Sequence, residues 1–216
     1  MGKKYASIHV FTKEEETMAV KLMKEYSANV PAIFKENKKS NLLDDESYKL
    51  LAEKIKHLMK PETLIIQGKG VISIYDPNNS FETISEIAQE VSIMSDTAVV
   101  YTSNFDEDVF LIGIYNKGNC VTNGNYGDML EEYELESKMM DWNELAILCE
   151  DKSIGLLASL SRDTDIEEIE DYIEELLGVP LKLTLEEVGE YQEEYVFVAS
   201  DEEKAQYCWS RTSLEL

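Results

Sequence analysis

The chain has 216 residues, 44% of them hydrophobic, which suits one large or two small packed units and argues against wholesale disorder. Its 44 acids against 20 bases give a net charge of −24. That balance argues against a general nucleic-acid binder or a protein held on anionic membrane, because both depend on lysine and arginine.

The charge is unevenly placed. Residues 1–69 carry 13 lysines against 10 acids, a net of +3, whereas residues 70–216 carry 34 acids against seven bases, a net of −27. The negative field therefore belongs to the C-terminal two-thirds. Arg162 and Arg211 are the only arginines, so an arginine-based phosphate clamp is not expected. No apolar signal region follows Met1-Gly2-Lys3-Lys4, and no apolar run approaches the roughly 18 residues of a membrane span. Cys120, Cys149 and Cys208 form no CxxC pair, which fits a reducing cytoplasm.

In chain order, residues 4–11 alternate, with Ala6, Ile8 and Val10 on one face and Tyr5, Ser7, His9 and Phe11 on the other. This is a strand pattern. Thr12 and Glu15 form a capping box for a helix over 13–27, with Met18, Leu22 and Tyr26 as its stripe. A second helix is expected over 44–59, closed by Pro61. Residues 63–67 and 71–76 flank Gly68-Lys69-Gly70 as a hairpin. A helix over 81–95 follows, capped by Asn79 or Ser80, with Phe81, Ile84, Ile87, Ala88 and Val91 on one face. Strands at 97–103 and 109–115 come next, the second apolar on both faces and therefore central and covered on both sides. Asn116-Lys117-Gly118-Asn119 is a turn into a short strand at 119–122.

The polar, glycine-rich stretch 123–128 reads as a boundary. It divides an α+β sheet domain (1–127) from an acidic, helix-rich part (128–216) packed against it. That part has helices at 142–150 and 165–177, the latter stopped by Gly178 and Pro180, and short strand candidates at 181–185 and 195–199. The fold class expected is α+β, a mainly antiparallel sheet covered by helices.

The string Tyr75-Asp76, the run Asp106-Glu107-Asp108-Val109-Phe110-Leu111, the turn Tyr115-Asn116-Lys117-Gly118 and the later Leu176-Leu177-Gly178-Val179-Pro180 are similar to those of a group of uncharacterised bacterial cytoplasmic proteins. The resemblance spans about half the chain. It implies an α+β bacterial protein and brings no catalytic residue.

Candidate chemistry is sparse. His9 has Ser7 or Cys120 as conceivable nucleophilic partners, but neither lies in a nucleophile elbow. His57 lies among lysines. Asp76-Pro77-Asn78-Asn79-Ser80 starts like a calcium loop but has Phe81 for the required glycine and Ile87 for the required glutamate. The Asn104–Asp108 turn concentrates three acids, and a charged hairpin tip explains them. No phosphate-binding glycine motif precedes a helix. No catalytic residue, metal site or cofactor is assigned.

The strongest signal is the acidic C-terminal part. Glu131, Glu132, Glu134 and Glu136 fall in one run, and Glu186, Glu187, Glu190, Glu193 and Glu194 in another. Between them Glu167, Glu168, Glu170, Asp171, Glu174 and Glu175 crowd one helix, whose apolar stripe is expected to leave them all outward. Like charges at i,i+4 cost stability, so such a face is either solubilising or opposed to a basic partner. The functional expectation is a non-catalytic acidic cytoplasmic protein that binds a basic protein, with an immunity-type inhibitor as one form. Its contact residues would be Glu167, Glu170, Asp171, Glu174, Tyr133 and Tyr191. The alternative is a carboxylate-based, cation-dependent enzyme or a small-ligand-binding domain.

Overall fold

The computed structural model describes residues 4–14, 18, 22, 64–67, 70–76, 79–149, 160, 164–183 and 196–199. Strand β1 (Lys4–Phe11) alternates as its sequence requires, and each face is buried against a different core. It pairs antiparallel with β3 (Val71–Tyr75) on one side and with β4 (Ala98–Phe105) on the other. Strand β2 (Leu64–Gln67) pairs with β3, β5 (Val109–Asn116) with β4, and β6 (Asn119–Tyr126) with β5, all antiparallel. Strand β7 (Val196–Ala199) completes a seven-stranded sheet of order β6-β5-β4-β1-β3-β2-β7. The class is α+β, as expected.

The first face is covered by helix α1 (Ile84–Ser95). Ile84, Ile87, Ala88 and Val91 pack onto Ile8, Val10, Ile72, Ile74 and Val99. The second face is covered by α2 (Trp142–Leu148) and α3 (Ile166–Leu177), whose Trp142, Leu145, Ile166, Ile169, Ile173 and Leu177 meet Val100, Phe110, Ile112 and Ile114. Strand β5 alternates between these cores, sending Val109 and Leu111 to the first and Phe110, Ile112 and Ile114 to the second.

Several expected boundaries move, each for a visible reason. Helix α1 begins at Ile84, with Thr83 at its N-cap, because the Ser80 carbonyl accepts from both Thr83 N (3.1 Å) and Ile84 N (2.9 Å) in a preceding turn. The stretch 123–126, expected to be a loop, continues β6. Gly124 opposes Ile112, and a Cβ there would lie 2.7 Å from the Tyr126 ring and 2.9 Å from Met140 N. Across the boundary expected near 127, Tyr126 and Trp142 belong to the same cluster. Residues 181–183 are not a strand, although Leu181 and Leu183 are buried. The sheet, expected within 1–127, also takes in β7. Of the helix expected at 13–27 only Met18 and Leu22 are helical among the described residues, after the Thr12 hydroxyl accepts from Glu14 N (3.1 Å). The helix at 44–59, His57 and the acids of 186–194 lie outside the described residues.

One hairpin tip and one close approach of the backbone follow from their residues. Lys117 (φ 51°) and Gly118 (φ 81°) make the two-residue turn between β5 and β6, where positive φ at both positions suits the twist of the strands. Gly127 (φ 124°) runs so close to β5 that a Cβ would lie 2.0 Å from the Asp108 carbonyl oxygen.

Ile112 is fully buried in the second core. Ile112→Asp, which places an unpaired charge there, is expected to cost several kcal/mol, roughly, and to lower the melting temperature by about 10 °C or more. Thermal denaturation followed by circular dichroism checks this, and an unchanged midpoint would refute the strand's placement.

Candidate functional site

The apolar second face is interrupted at the centre of the sheet by a polar layer. Alternation along β1 sends Tyr5, Ser7 and His9 to this face, and register brings Ser73, Thr102 and Asn104 beside them. Ser7 Oγ is hydrogen-bonded to His9 Nε2 (3.1 Å) and to Thr102 Oγ1 (2.9 Å). His9 Nδ1 is hydrogen-bonded to Ser73 Oγ (2.8 Å). A neutral imidazole has one donor and one acceptor, and hydroxyls on both sides serve either role. The Tyr75 ring meets His9 edge-on at 6.3 Å, and its hydroxyl donates to the Pro180 carbonyl.

Ser7, His9, Ser73 and Thr102 are all inaccessible to solvent. Burial pushes the His9 imidazole from its ordinary 6.5 down to about 3, so it is neutral at any physiological pH. A Ser–His pair is thus present at hydrogen-bonding distance. Yet a hydroxyl, not a carboxylate, holds Nδ1, and no substrate reaches Ser7. Cys120, the other nucleophile considered, is exposed on β6 at the sheet edge, three strands from β1.

The layer ends at a buried carboxylate. Glu170 Oε1 of α3 accepts from the Tyr5 hydroxyl (2.6 Å) and from Asn104 Nδ2 (2.6 Å), and the residue is only 5% exposed. The Tyr5 hydroxyl is pushed well above its ordinary value, by burial first and by the Glu170 charge second. The expectation that the acids of this helix all face outward is therefore corrected at Glu170. Its position was recoverable, because Ile166, Ile169, Glu170, Ile173 and Leu177 are the helical series facing the sheet. Glu174 is half-buried and also works internally, its Oε1 accepting from Leu181 N (2.7 Å) just past the Gly178 C-cap.

Glu167 and Asp171 are exposed, together with Glu168 and Glu175, on the outer side of α3. Asp165 caps the helix by accepting from Glu167 N (2.9 Å). Tyr133 does not join this group. It packs against the first core with Phe81 and Phe105, on the face opposite α3. Tyr191 lies outside the described residues. The six contact residues thus divide into two structural carboxylates, two exposed acids, an aromatic on the other face and one undescribed position.

At the β4–β5 turn Asp106 forms an ion pair with Lys4 (2.8 Å). Among the described residues no three His, Cys, Asp or Glu side chains converge as a metal site requires, and no helix is long and apolar enough to cross a membrane. Compared with known proteins, the chain matches no family model, no curated protein and no solved structure.

Glu170→Ala leaves the Tyr5 hydroxyl and the Asn104 amide without their acceptor. It is expected to cost about 2–4 kcal/mol in urea unfolding, Glu170→Gln about 1 kcal/mol, and Glu167→Ala less than about 0.5 kcal/mol. For His9, the unfolded chain takes up a proton below 6.5 that the folded chain refuses until about 3. Stability is therefore full above 6.5 and falls as pH drops through that window, by up to about 1.4 kcal/mol per unit. Wild type is expected to lose about 1 kcal/mol more than His9→Gln between pH 7 and pH 5.5, measured by urea unfolding.

Proposed function

We propose that the protein is a non-catalytic, cytoplasmic binding protein whose acidic surface engages a basic protein, an immunity-type inhibitor being one form. The observation that carries this reading is the outer side of α3. Glu167, Asp171 and Glu175 follow one another at i, i+4 and i+8, Glu168 lies beside them, and all four are exposed. Glu175 stands in the last turn, where the helix carries no base and where the macrodipole disfavours negative charge. A helix that keeps such repulsion has a face suited to a cationic surface, which would neutralise several acids at once. Electrostatic steering then speeds encounter, and occlusion of the partner needs no reacting group.

The contact set is Glu167, Glu168, Asp171 and Glu175, the exposed acids of this helix, whereas Glu170 is buried and Glu174 half-buried. The test is affinity capture with wild type and with Glu167→Lys/Asp171→Lys/Glu175→Lys as bait, followed by binding kinetics across a salt series. A basic protein is expected on the wild-type bait. Its on-rate should fall tenfold or more as the Debye length shrinks from about 30 Å to about 8 Å, and should fall similarly in the triple variant, with little change in melting temperature. An acidic partner, or an on-rate indifferent to the triple reversal, would contradict the reading.

A further inference from the structure

Three rings from distant segments meet on the first face of the sheet. The centroids of Phe81 and Phe105 are 5.1 Å apart, those of Phe105 and Tyr133 5.3 Å, and those of Phe81 and Tyr133 5.7 Å. All three are only half-buried. Each is flanked by acids in its own segment: Glu82 follows Phe81, Asp106 and Glu107 follow Phe105, and Glu132 and Glu134 bracket Tyr133. An aromatic centre inside a charged rim is the anatomy of a recognition surface.

The cluster already holds a cation. Lys4 Nζ lies 4.2 Å from the Phe105 ring centroid and 2.8 Å from Asp106 Oδ2, so one ring face and one carboxylate share a single ammonium. The Lys4 side chain is 53% exposed, which leaves this seat open to exchange with an outside cation. A guanidinium suits it better than an ammonium, being planar, weakly hydrated and able to stack on a ring while bonding a carboxylate.

We propose that the Phe81–Phe105–Tyr133 cluster and its acidic rim form a second contact surface, which takes arginine or lysine side chains of a basic polypeptide at the seat Lys4 occupies in the free chain. It shares a class of partner with the function above but lies across the sheet from α3, so the two surfaces stand or fall separately.

The probe is nona-arginine, titrated at low ionic strength into the full chain. Lys4→Met and Lys117→Met each remove one positive charge, Lys117 being paired with Asp96 at 3.0 Å, away from the aromatic cluster. Lys4→Met is expected to bind at least about threefold more tightly than Lys117→Met, because only it vacates the seat. Phe81→Leu/Tyr133→Leu, at unchanged charge and with its melting temperature verified, is expected to bind about fivefold more weakly than wild type. The proposal is overturned if wild type does not bind the peptide, if the two lysine variants bind alike, or if the folded leucine variant keeps wild-type affinity. Loss confined to the α3 triple reversal would defeat this surface and leave the proposed function standing. Loss confined to the leucine variant would do the reverse.

Discussion

A carboxylate buried between a helix and a sheet fixes where that helix sits. Glu170 is the last member of a polar layer that starts at Ser73 and runs through His9, Ser7 and Thr102, beside Tyr5 and Asn104. Apolar contacts alone would let α3 slide along the second core at little cost, since one isoleucine replaces another. The Glu170 acceptor meets its two donors, Tyr5 on β1 and Asn104 on β4, in one placement only. Because an unsatisfied buried carboxylate is costly, that placement is enforced. The Gly178 C-cap and the bond from Leu181 N to Glu174 then turn the chain back, so that Val179 and Leu181 join the same core.

The same helix consequently has two kinds of acid. Inward, Glu170 is desolvated and engaged. Outward, Glu167, Glu168, Asp171 and Glu175 stay in water and make a field. The inner carboxylate orients the outer ones, so recognition by the acidic face would rest on a rigid element held by packing and hydrogen bonds. The buried Ser–His pair belongs to this scaffold. Enclosed by hydroxyls and held neutral, it resembles nucleophilic machinery in composition but works as a layer that fixes strand register.

The α+β class, the alternation of 4–11 and the two-sided burial of 109–115 were legible because hydrophobic period is a local signal. The end of the 166–177 helix was legible because Gly178 sits at a left-handed C-cap, φ 63°. Residues 123–126 were not, because Asn-Gly-Asn has loop chemistry. They form a strand because β5 needs a partner and because only glycine at 124 lets Tyr126 and the Met140 backbone pass. The burial of Glu170 was half-legible. Its helical position was in the sequence, but its donors lie 165 and 66 residues away in the chain, and pairing at that range is set by tertiary structure. The surroundings of Tyr133 were hidden for a related reason: its neighbours in sequence are acids, while its neighbours in space are rings.

The central claim is that Glu170 and Tyr5 are energetically coupled across the helix–sheet boundary. A double-mutant cycle with Tyr5→Phe and Glu170→Met, read by urea unfolding at pH 7, measures that coupling directly. A hydrogen bond to a buried carboxylate predicts an interaction energy of about 1.5 kcal/mol or more. Additive losses, with an interaction energy near zero, would mean that α3 is held by its isoleucines alone and that the buried carboxylate does not position it.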